Sequence, residues 1–85
     1  MEVLKDVSVQ SPTAGVALIF VSGAHTYATT TRVVDLLNGL IRENDLVVAD
    51  FCSARFIDLT MLRALFAGKQ TAHKLGKEFR IQMPV

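Results

Sequence analysis

The residue types that most often carry catalysis are sparse in this chain and are not spaced as a site. Cys52, the lone cysteine, and the two histidines, His25 and His73, lie far apart along the sequence. A zinc site needs ligands at close, paired spacings, which these three residues do not provide. No Ser-His-Asp or Cys-His order indicates a nucleophile, and no Gly-rich phosphate loop surrounds Gly23. The sequence therefore predicts no metal, no cofactor and no enzymatic activity.

Cys52 has two interpretations. A lone cysteine fits a reducing compartment and a small, buried, apolar side chain. A reactive thiol would need surroundings that lower its pKa, and the sequence shows none. We therefore predict a buried structural cysteine in a cytoplasmic protein.

Length and composition limit the protein to one small domain. The chain has 85 residues, a hydrophobic fraction of 51% and a formal net charge of +1. Phosphate-backbone binding needs concentrated positive charge, and no Lys/Arg cluster is present, so nucleic acid is not expected as a partner. The longest apolar run, residues 16–21, is far below the ~20 residues of a membrane span. Glu2, Lys5 and Asp6 are not typical of a signal peptide. The apolar residues must form a core, or a surface that meets a partner.

Four strands are predicted from apolar or alternating runs. They cover residues 7–10, 16–21, 46–49 and 79–83. The second and third runs are continuous and rich in β-branched residues, which indicates buried strands. A short loop is expected over residues 51–57.

Two helices are predicted between these strands. The first is expected to start at a threonine cap, for which Thr29, Thr30 and Thr31 are all candidates, and to end near Asn44. Its apolar stripe consists of Val33, Val34, Leu37, Leu40 and Ile41. The second helix is expected to start after Asp58, a good N-cap, and to stop at Gly76. Its predicted inner face contains Met61, Leu62, Leu65, Ala72 and Leu75, with Phe66 beside them.

The element order is therefore β-β-α-β-α-β. Strands separated by helices pair in parallel through right-handed crossovers. We expect an α/β domain with a mixed, mainly parallel sheet covered by helices.

The most informative segment is L-V-V-A-D-F-C-S-A-R-F-I-D-L-T-M-L, residues 46–62. It is similar to the STAS family, which is named after sulfate transporters and anti-sigma factor antagonists. The family pattern is a strand, Asp, a short loop, Phe-Ile-Asp-Ser-Ser-Gly-Leu and a helix. Five residues agree outright and Thr60 replaces the second serine; the five are Asp50, Phe56, Ile57, Asp58 and Leu62. Val21-Ser22-Gly23 and the Thr-rich helix start also fit, so the resemblance spans nearly the whole chain.

The resemblance implies a regulatory role for Thr60. In anti-sigma factor antagonists the second hydroxyl of this motif is phosphorylated by the anti-sigma factor, a serine/threonine kinase. The unphosphorylated antagonist binds that kinase, and phosphorylation ends the binding. Thr60 would be the acceptor here, although a threonine in a first helical turn needs no function. The partner-binding residues implied around it are Ser53, Arg55, Asp58, Leu59, Met61 and Arg63.

Two of these residues have a second interpretation. Asp58 caps its helix, and the resemblance adds that it positions the acceptor hydroxyl. Arg55 precedes the helix and could enter an interface, where arginine is favoured, or could be a solvated loop charge.

The chain departs from the family pattern in three ways. Leu59 replaces the first serine, and Met61 replaces the glycine, which places a bulky group at the helix start and could block a kinase. Family members also continue with a further helix, whereas this sequence stops just after Pro84. We therefore expect a truncated domain, or one that a partner completes.

Three functions remain open at this point. The first is a bacterial anti-sigma factor antagonist that acts in transcription regulation and is switched at Thr60. The second is a constitutive STAS subunit that binds the ATPase of a bacterial ABC lipid-transport complex, which the apolar Leu59 and Met61 favour. The third is a degenerate STAS domain that forms a homodimer or belongs to a larger regulator.

Overall fold

The computed structural model describes residues 6–24 and 27–83. Four strands and two helices follow one another in the predicted order; they are β1 (Val7–Thr13), β2 (Val16–Ala24), α1 (Tyr27–Glu43), β3 (Leu46–Phe56), α2 (Leu59–Lys74) and β4 (Glu78–Gln82). Predictions that involve Glu2, Lys5, His25 and Pro84 lie outside the described residues.

The strands form a single mixed sheet in the order β1-β2-β3-β4. β1 and β2 are antiparallel and are joined through Gly15, whose φ of 79° is a conformation that glycine adopts readily. β2, β3 and β4 are parallel neighbours. The α/β architecture predicted from the sequence is confirmed.

Both helices cover the same face of this sheet. Each connects neighbouring parallel strands in the same direction, and right-handed crossovers then place them side by side. α1 contacts α2 and β3, while α2 also contacts β4. Alternate residues of the strands point towards the helices and form the core with them. The largest fully buried side chains are Phe51, Ile19, Ile41, Leu65, Val21, Val33, Val47 and Thr30.

The first helix begins earlier than the sequence predicted. α1 starts at Tyr27, so that the three candidate threonine caps lie within the helix. Thr30 is only 1% exposed and packs with the core. Their side chains can therefore not serve as the N-cap. The predicted apolar stripe is largely confirmed, because Val33, Leu37 and Ile41 are buried.

Hydrogen bonds join the loops at the end of the sheet where the parallel strands begin. The backbone N–H groups of Asp45 and Leu46 both donate to the carbonyl of Gly15, at 2.8 and 3.0 Å. The N–H of Glu78 donates to the carbonyl of Asp45 at 2.9 Å. The starts of β2, β3 and β4 are thus held together by hydrogen bonds between main-chain groups, which do not depend on the side chains.

Candidate functional site

The candidate site lies at the opposite end, where β3 runs on past its neighbour. The last β3–β4 pair is Asp50 with Gln82, so the rest of β3 pairs with β2 alone. The sequence predicted a loop over residues 51–57, and this prediction was wrong as far as Phe56. The missed signal is a strand whose alternation is interrupted, because the β2–β3 register shifts twice within it.

These two shifts are β-bulges. Between the pairs Phe20–Asp50 and Ser22–Ser53, β3 has one residue more than β2. A second extra residue, Arg55, lies between Ala54 and Phe56. Bulges bend a strand and redirect its side chains, and they are common beside functional sites.

The first bulge is stabilised by the aspartate of the sequence motif. The Oδ1 atom of Asp50 accepts a hydrogen bond from the backbone N–H of Cys52 at 2.8 Å. Cys52 is exposed, so the prediction of a buried cysteine was wrong. A hydrogen bond with the Asp50 carboxylate raises the pKa of the Cys52 thiol above its ordinary value, and desolvation and the negative charge of Asp50 raise it further. These surroundings disfavour the thiolate, the form that reacts.

Asp58 begins the second helix as the sequence predicted. Its backbone is extended, with φ −83° and ψ 173°, and its Oδ1 atom accepts the N–H of Met61 at 2.8 Å. Its carbonyl accepts the N–H of Leu62 at 3.1 Å. The capping carboxylate satisfies one of the amide groups that a helix start leaves without an intrahelical partner.

Thr60 is exposed in the first turn of this helix. Asp58 directly precedes that turn, and Arg63 lies three residues further on, also exposed. Residues three apart on a helix are neighbours on its surface. Within the part of the chain that the structure describes, Arg63 forms no ion pair. Its guanidinium is thus available to a group placed on Thr60.

Met61 does not belong to the surface around Thr60. Its side chain is 2% exposed and packs in the core with Leu65 and Ala72. The prediction that Met61 lies on the inner face of α2 is therefore confirmed, and the expectation that it contacts a partner or obstructs a kinase was wrong. Position 61 faces inward because it lies on the same side of α2 as the helix's other buried residues, Leu65, Gly68 and Ala72.

Ser53 and Arg55 are exposed on the β3 segment that precedes Asp58. Both lie on a strand and not on the predicted loop. Phe56, the motif residue next to Arg55, is also exposed, at 59%. The structure thus places Ser53, Arg55, Asp58, Leu59, Thr60 and Arg63 on one continuous stretch of chain at the carboxyl end of β3.

The sequence missed part of the outer face of α2. At about 100° per residue, Leu59, Arg63, Phe66, Gln70 and Lys74 lie on the side of α2 opposite its buried residues, and we call these five the α2 outer face. Leu59 is 61% exposed and Phe66 is 64% exposed.

Two predictions about the inner side of α2 were wrong. Phe66, predicted beside the inner face, belongs to the α2 outer face, and Leu75, predicted on the inner face, is 50% exposed at the C-cap. Phe66 lies seven residues, almost two full turns, after Leu59. That spacing is the signal that could have placed it outside.

Among the described residues, no group of three or more His, Cys, Asp or Glu side chains is placed to hold a metal ion. In the same part of the chain, neither helix is long and apolar enough to span a membrane.

No protein-family model matches the chain, and no curated protein matches its sequence. Solved structures do match its fold. The unphosphorylated form of the anti-sigma factor antagonist SpoIIAA is similar with a TM-score of 0.79 and 10% identity, over 93% of this chain and 70% of that one. The phosphorylated form of SpoIIAA, a Bacillus cell fate determinant, is similar with a TM-score of 0.75 and 9% identity, over 86% of this chain and 68% of that one. The structure of Mglu gives a TM-score of 0.74 and 18% identity, over 93% of this chain but 20% of Mglu.

These similarities define the class of the domain by its fold. The chain has the STAS-like fold of SpoIIAA, with the order β-β-α-β-α-β. The sequence resemblance over residues 46–62 and the structural similarity agree on this fold.

Proposed function

We propose that this chain is a non-catalytic regulatory domain that acts in the bacterial cytoplasm. It binds a protein partner through the start of α2. In this proposal it is an anti-sigma factor antagonist. It binds an anti-sigma factor that is a serine/threonine kinase, and phosphorylation of Thr60 ends the binding.

The observation that carries the proposal is the position of Thr60. It is exposed in the first turn of a helix whose cap, Asp58, and preceding strand residue, Asp50, both belong to the same motif. A hydroxyl buried or hydrogen-bonded within the fold would be a poor acceptor. An exposed hydroxyl beside Leu59, which is 61% exposed, is accessible and adjoins an apolar surface that a partner could cover.

The fold can carry a phosphate at this position without rearrangement. Negative charge near a helix N-terminus is favourable by about 0.3–1 kcal/mol. Arg63 is close enough along the helix to donate charge-assisted hydrogen bonds to the phosphate. The change therefore falls on the partner, which would meet an added charge of about −1.5 to −2 in a surface that must be desolvated.

The direct test is phosphorylation by a purified kinase-type anti-sigma factor from the same genome, in the presence of ATP. We expect a single phosphate on Thr60, located by peptide mass spectrometry, and loss of the complex on gel filtration. Ser53→Ala is the matched control, because Ser53 is an exposed hydroxyl on the strand just before the helix. Labelling that persists in Thr60→Ala would remove the assignment.

A second candidate has an observation in its favour. Leu59 and Phe66 extend the apolar surface beyond the threonine, which suits permanent docking on an ATPase of an ABC lipid-transport complex. In that role Thr60 is merely part of the interface and has no phosphorylation cycle. One binding assay with Thr60→Ser, which preserves the hydroxyl, distinguishes the two functions. If the serine variant binds its partner equally well before and after treatment with the kinase and ATP, the result favours the ATPase subunit.

A further inference from the structure

The second helix combines exposed apolar side chains with a one-sided charge. α2 contains Arg63, Lys69 and Lys74 and no aspartate or glutamate anywhere along its length. All three cations are exposed. The nearest acid in sequence, Asp58, is engaged at the helix start by the N–H of Met61. Three of the chain's nine Lys and Arg residues lie in this helix without an acid, while the net charge of the whole chain is only +1.

The apolar and basic residues are arranged along the helix axis. Leu59 and Phe66, more than 60% exposed, occupy the first half of the α2 outer face. Lys69 and Lys74 lie in the second half. A shallow surface depression there is lined by Lys69, Gln70, His73 and Lys74. Lys69 and Lys74 border the depression, and the exposed ring of Phe66 lies one helical turn before it.

We propose that the α2 outer face, together with Lys69, docks an acidic amphipathic helix of the partner protein. Apolar side chains of that helix would cover Leu59 and Phe66, and its carboxylates would pair with Arg63, Lys69 and Lys74. This inference rests on the proposed function, since it names the chemistry of the partner at the same site. Helices bind helices through anchors at such spacings, with complementary charges fixing orientation and excluding other partners.

An anionic membrane surface is the other acceptor for a basic, partly apolar helix, and the pattern disfavours it. Membrane-surface helices bury a continuous apolar face. In α2 the continuous apolar face is used by the core, which buries Met61, Leu65 and Ala72. On the outer side Arg63 lies between Leu59 and Phe66, and Gln70 follows Phe66. A protein can supply hydrogen-bonding partners for these two polar side chains, whereas acyl chains cannot.

The proposal also explains how a phosphate at Thr60 would act at a distance from the lysines. An acidic partner is drawn to α2 by the sum of its charges, so an added phosphate of about −1.5 to −2 cancels much of the attraction from Arg63, Lys69 and Lys74. The switch then needs no conformational change in the domain.

The test uses the whole 85-residue domain and three probes. The first is an amphipathic helical peptide with Leu on one face and Glu on the other, the second is the same peptide with Lys in place of Glu, and the third is vesicles containing phosphatidylserine. Binding is measured by anisotropy and located by amide chemical-shift changes. We expect the acidic peptide to bind with shifts confined to α2, more weakly as salt rises, and neither other probe to bind.

Variants assign the interaction to named residues. Lys69→Glu should weaken acidic-peptide binding about tenfold, which corresponds to about 1.4 kcal/mol. Leu59→Ser with Phe66→Ser should abolish it. Arg80→Glu is the control, because it makes the same net-charge change on β4, and its binding should remain within about twofold, the small effect expected of a charge outside the interface.

The outcomes separate this inference from the proposed function. Binding by the vesicles alone, shifts outside α2, or equal losses in Lys69→Glu and Arg80→Glu overturn the acidic-helix proposal, whatever happens at Thr60. If Lys69→Glu loses binding and kinase treatment leaves Thr60 unlabelled, the docking surface stands and the switch fails.

Discussion

The Oδ1 atom of Asp50 accepts the backbone N–H of Cys52 at 2.8 Å, at the point where β3 has one residue more than β2. This contact closes the bulge, and the same carboxylate raises the pKa of the Cys52 thiol. A single side chain therefore accepts a backbone hydrogen bond within the bulge and raises the pKa of the exposed thiol beside it.

The thiol gives a readout of this contact. In Asp50→Ala the hydrogen bond and the negative charge that raise the pKa of Cys52 are both lost, so the pKa falls towards its ordinary value. More thiolate is then present at a given pH, and the pH–rate profile of iodoacetamide alkylation should shift to lower pH. Asp50→Asn removes the charge but keeps a carbonyl oxygen that can accept a hydrogen bond from the thiol, so it should shift the profile less. Asp35→Asn, on an exposed position of α1, should leave it unchanged.

The cap of α2 contributes to stability independently of any partner. Asp58→Ala removes the acceptor of the Met61 N–H and should lower the free energy of unfolding by about 1 kcal/mol. Asp58→Ser replaces one capping oxygen with another and should recover most of this loss. Urea unfolding followed by circular dichroism measures both. Equal stability of the alanine and serine variants would show that the cap contributes little.

Two helical glycines should respond in opposite directions. Gly39 in α1 is exposed, and an added Cβ would meet no atom within 4 Å, so Gly39→Ala should stabilise the domain by about 0.5–1 kcal/mol. Gly68 in α2 faces the core, where an added Cβ would approach Phe79 at 3.1 Å and Ile41 at 3.3 Å. Gly68→Val should destabilise by about 1–3 kcal/mol through overpacking. Thermal unfolding of the two variants beside the wild type provides the comparison, and a rise in stability for both would contradict the close packing at Gly68.

Substitutions at Met61 and Leu59 should affect different properties, stability for Met61 and partner binding for Leu59. Met61 is 2% exposed, so Met61→Ala should cost about 2–5 kcal/mol of stability. Leu59 is 61% exposed, and Leu59→Ala should change stability by less than about 0.5 kcal/mol while it weakens binding of the acidic peptide. Denaturant titration and anisotropy on both variants make the comparison. Strong destabilisation by Leu59→Ala would place that side chain in the core and remove it from the docking face.

The element order, the helix cap at Asp58 and the buried stripe of α1 could be predicted because each leaves a local pattern. Short apolar runs mark β2 and β3, and an aspartate before a periodic segment marks the start of α2. The outer end of β3 could not be predicted in this way. Its two bulges break the alternation from which a strand is recognised, and they depend on the pairing with β2, which is a tertiary property.

The side of α2 on which a residue falls was harder to predict than the helix itself. The apolar periodicity placed Met61 on the inner face of α2, whereas its position beside Thr60 in the motif suggested contact with a partner. The structure supports the periodicity, because one residue along a helix turns the side chain by about 100°. Cys52 was expected to be buried from the general behaviour of cysteine. Because β3 continues through this segment, Cys52 follows the buried Phe51 and lies on the opposite, exposed face of the strand, whereas the sequence predicted a loop there.

The loop contacts among Gly15, Asp45 and Glu78 have a consequence for how such domains diversify. Those bonds are made by the main chain and close the end of the sheet remote from Thr60. Substitutions around the start of α2 therefore leave them intact, provided that the inward residues are kept. Selection can change which protein is recognised while the chain continues to fold, and the same separation makes the exposed residues of segment 53–74 a set that could be exchanged between domains to transfer a binding preference.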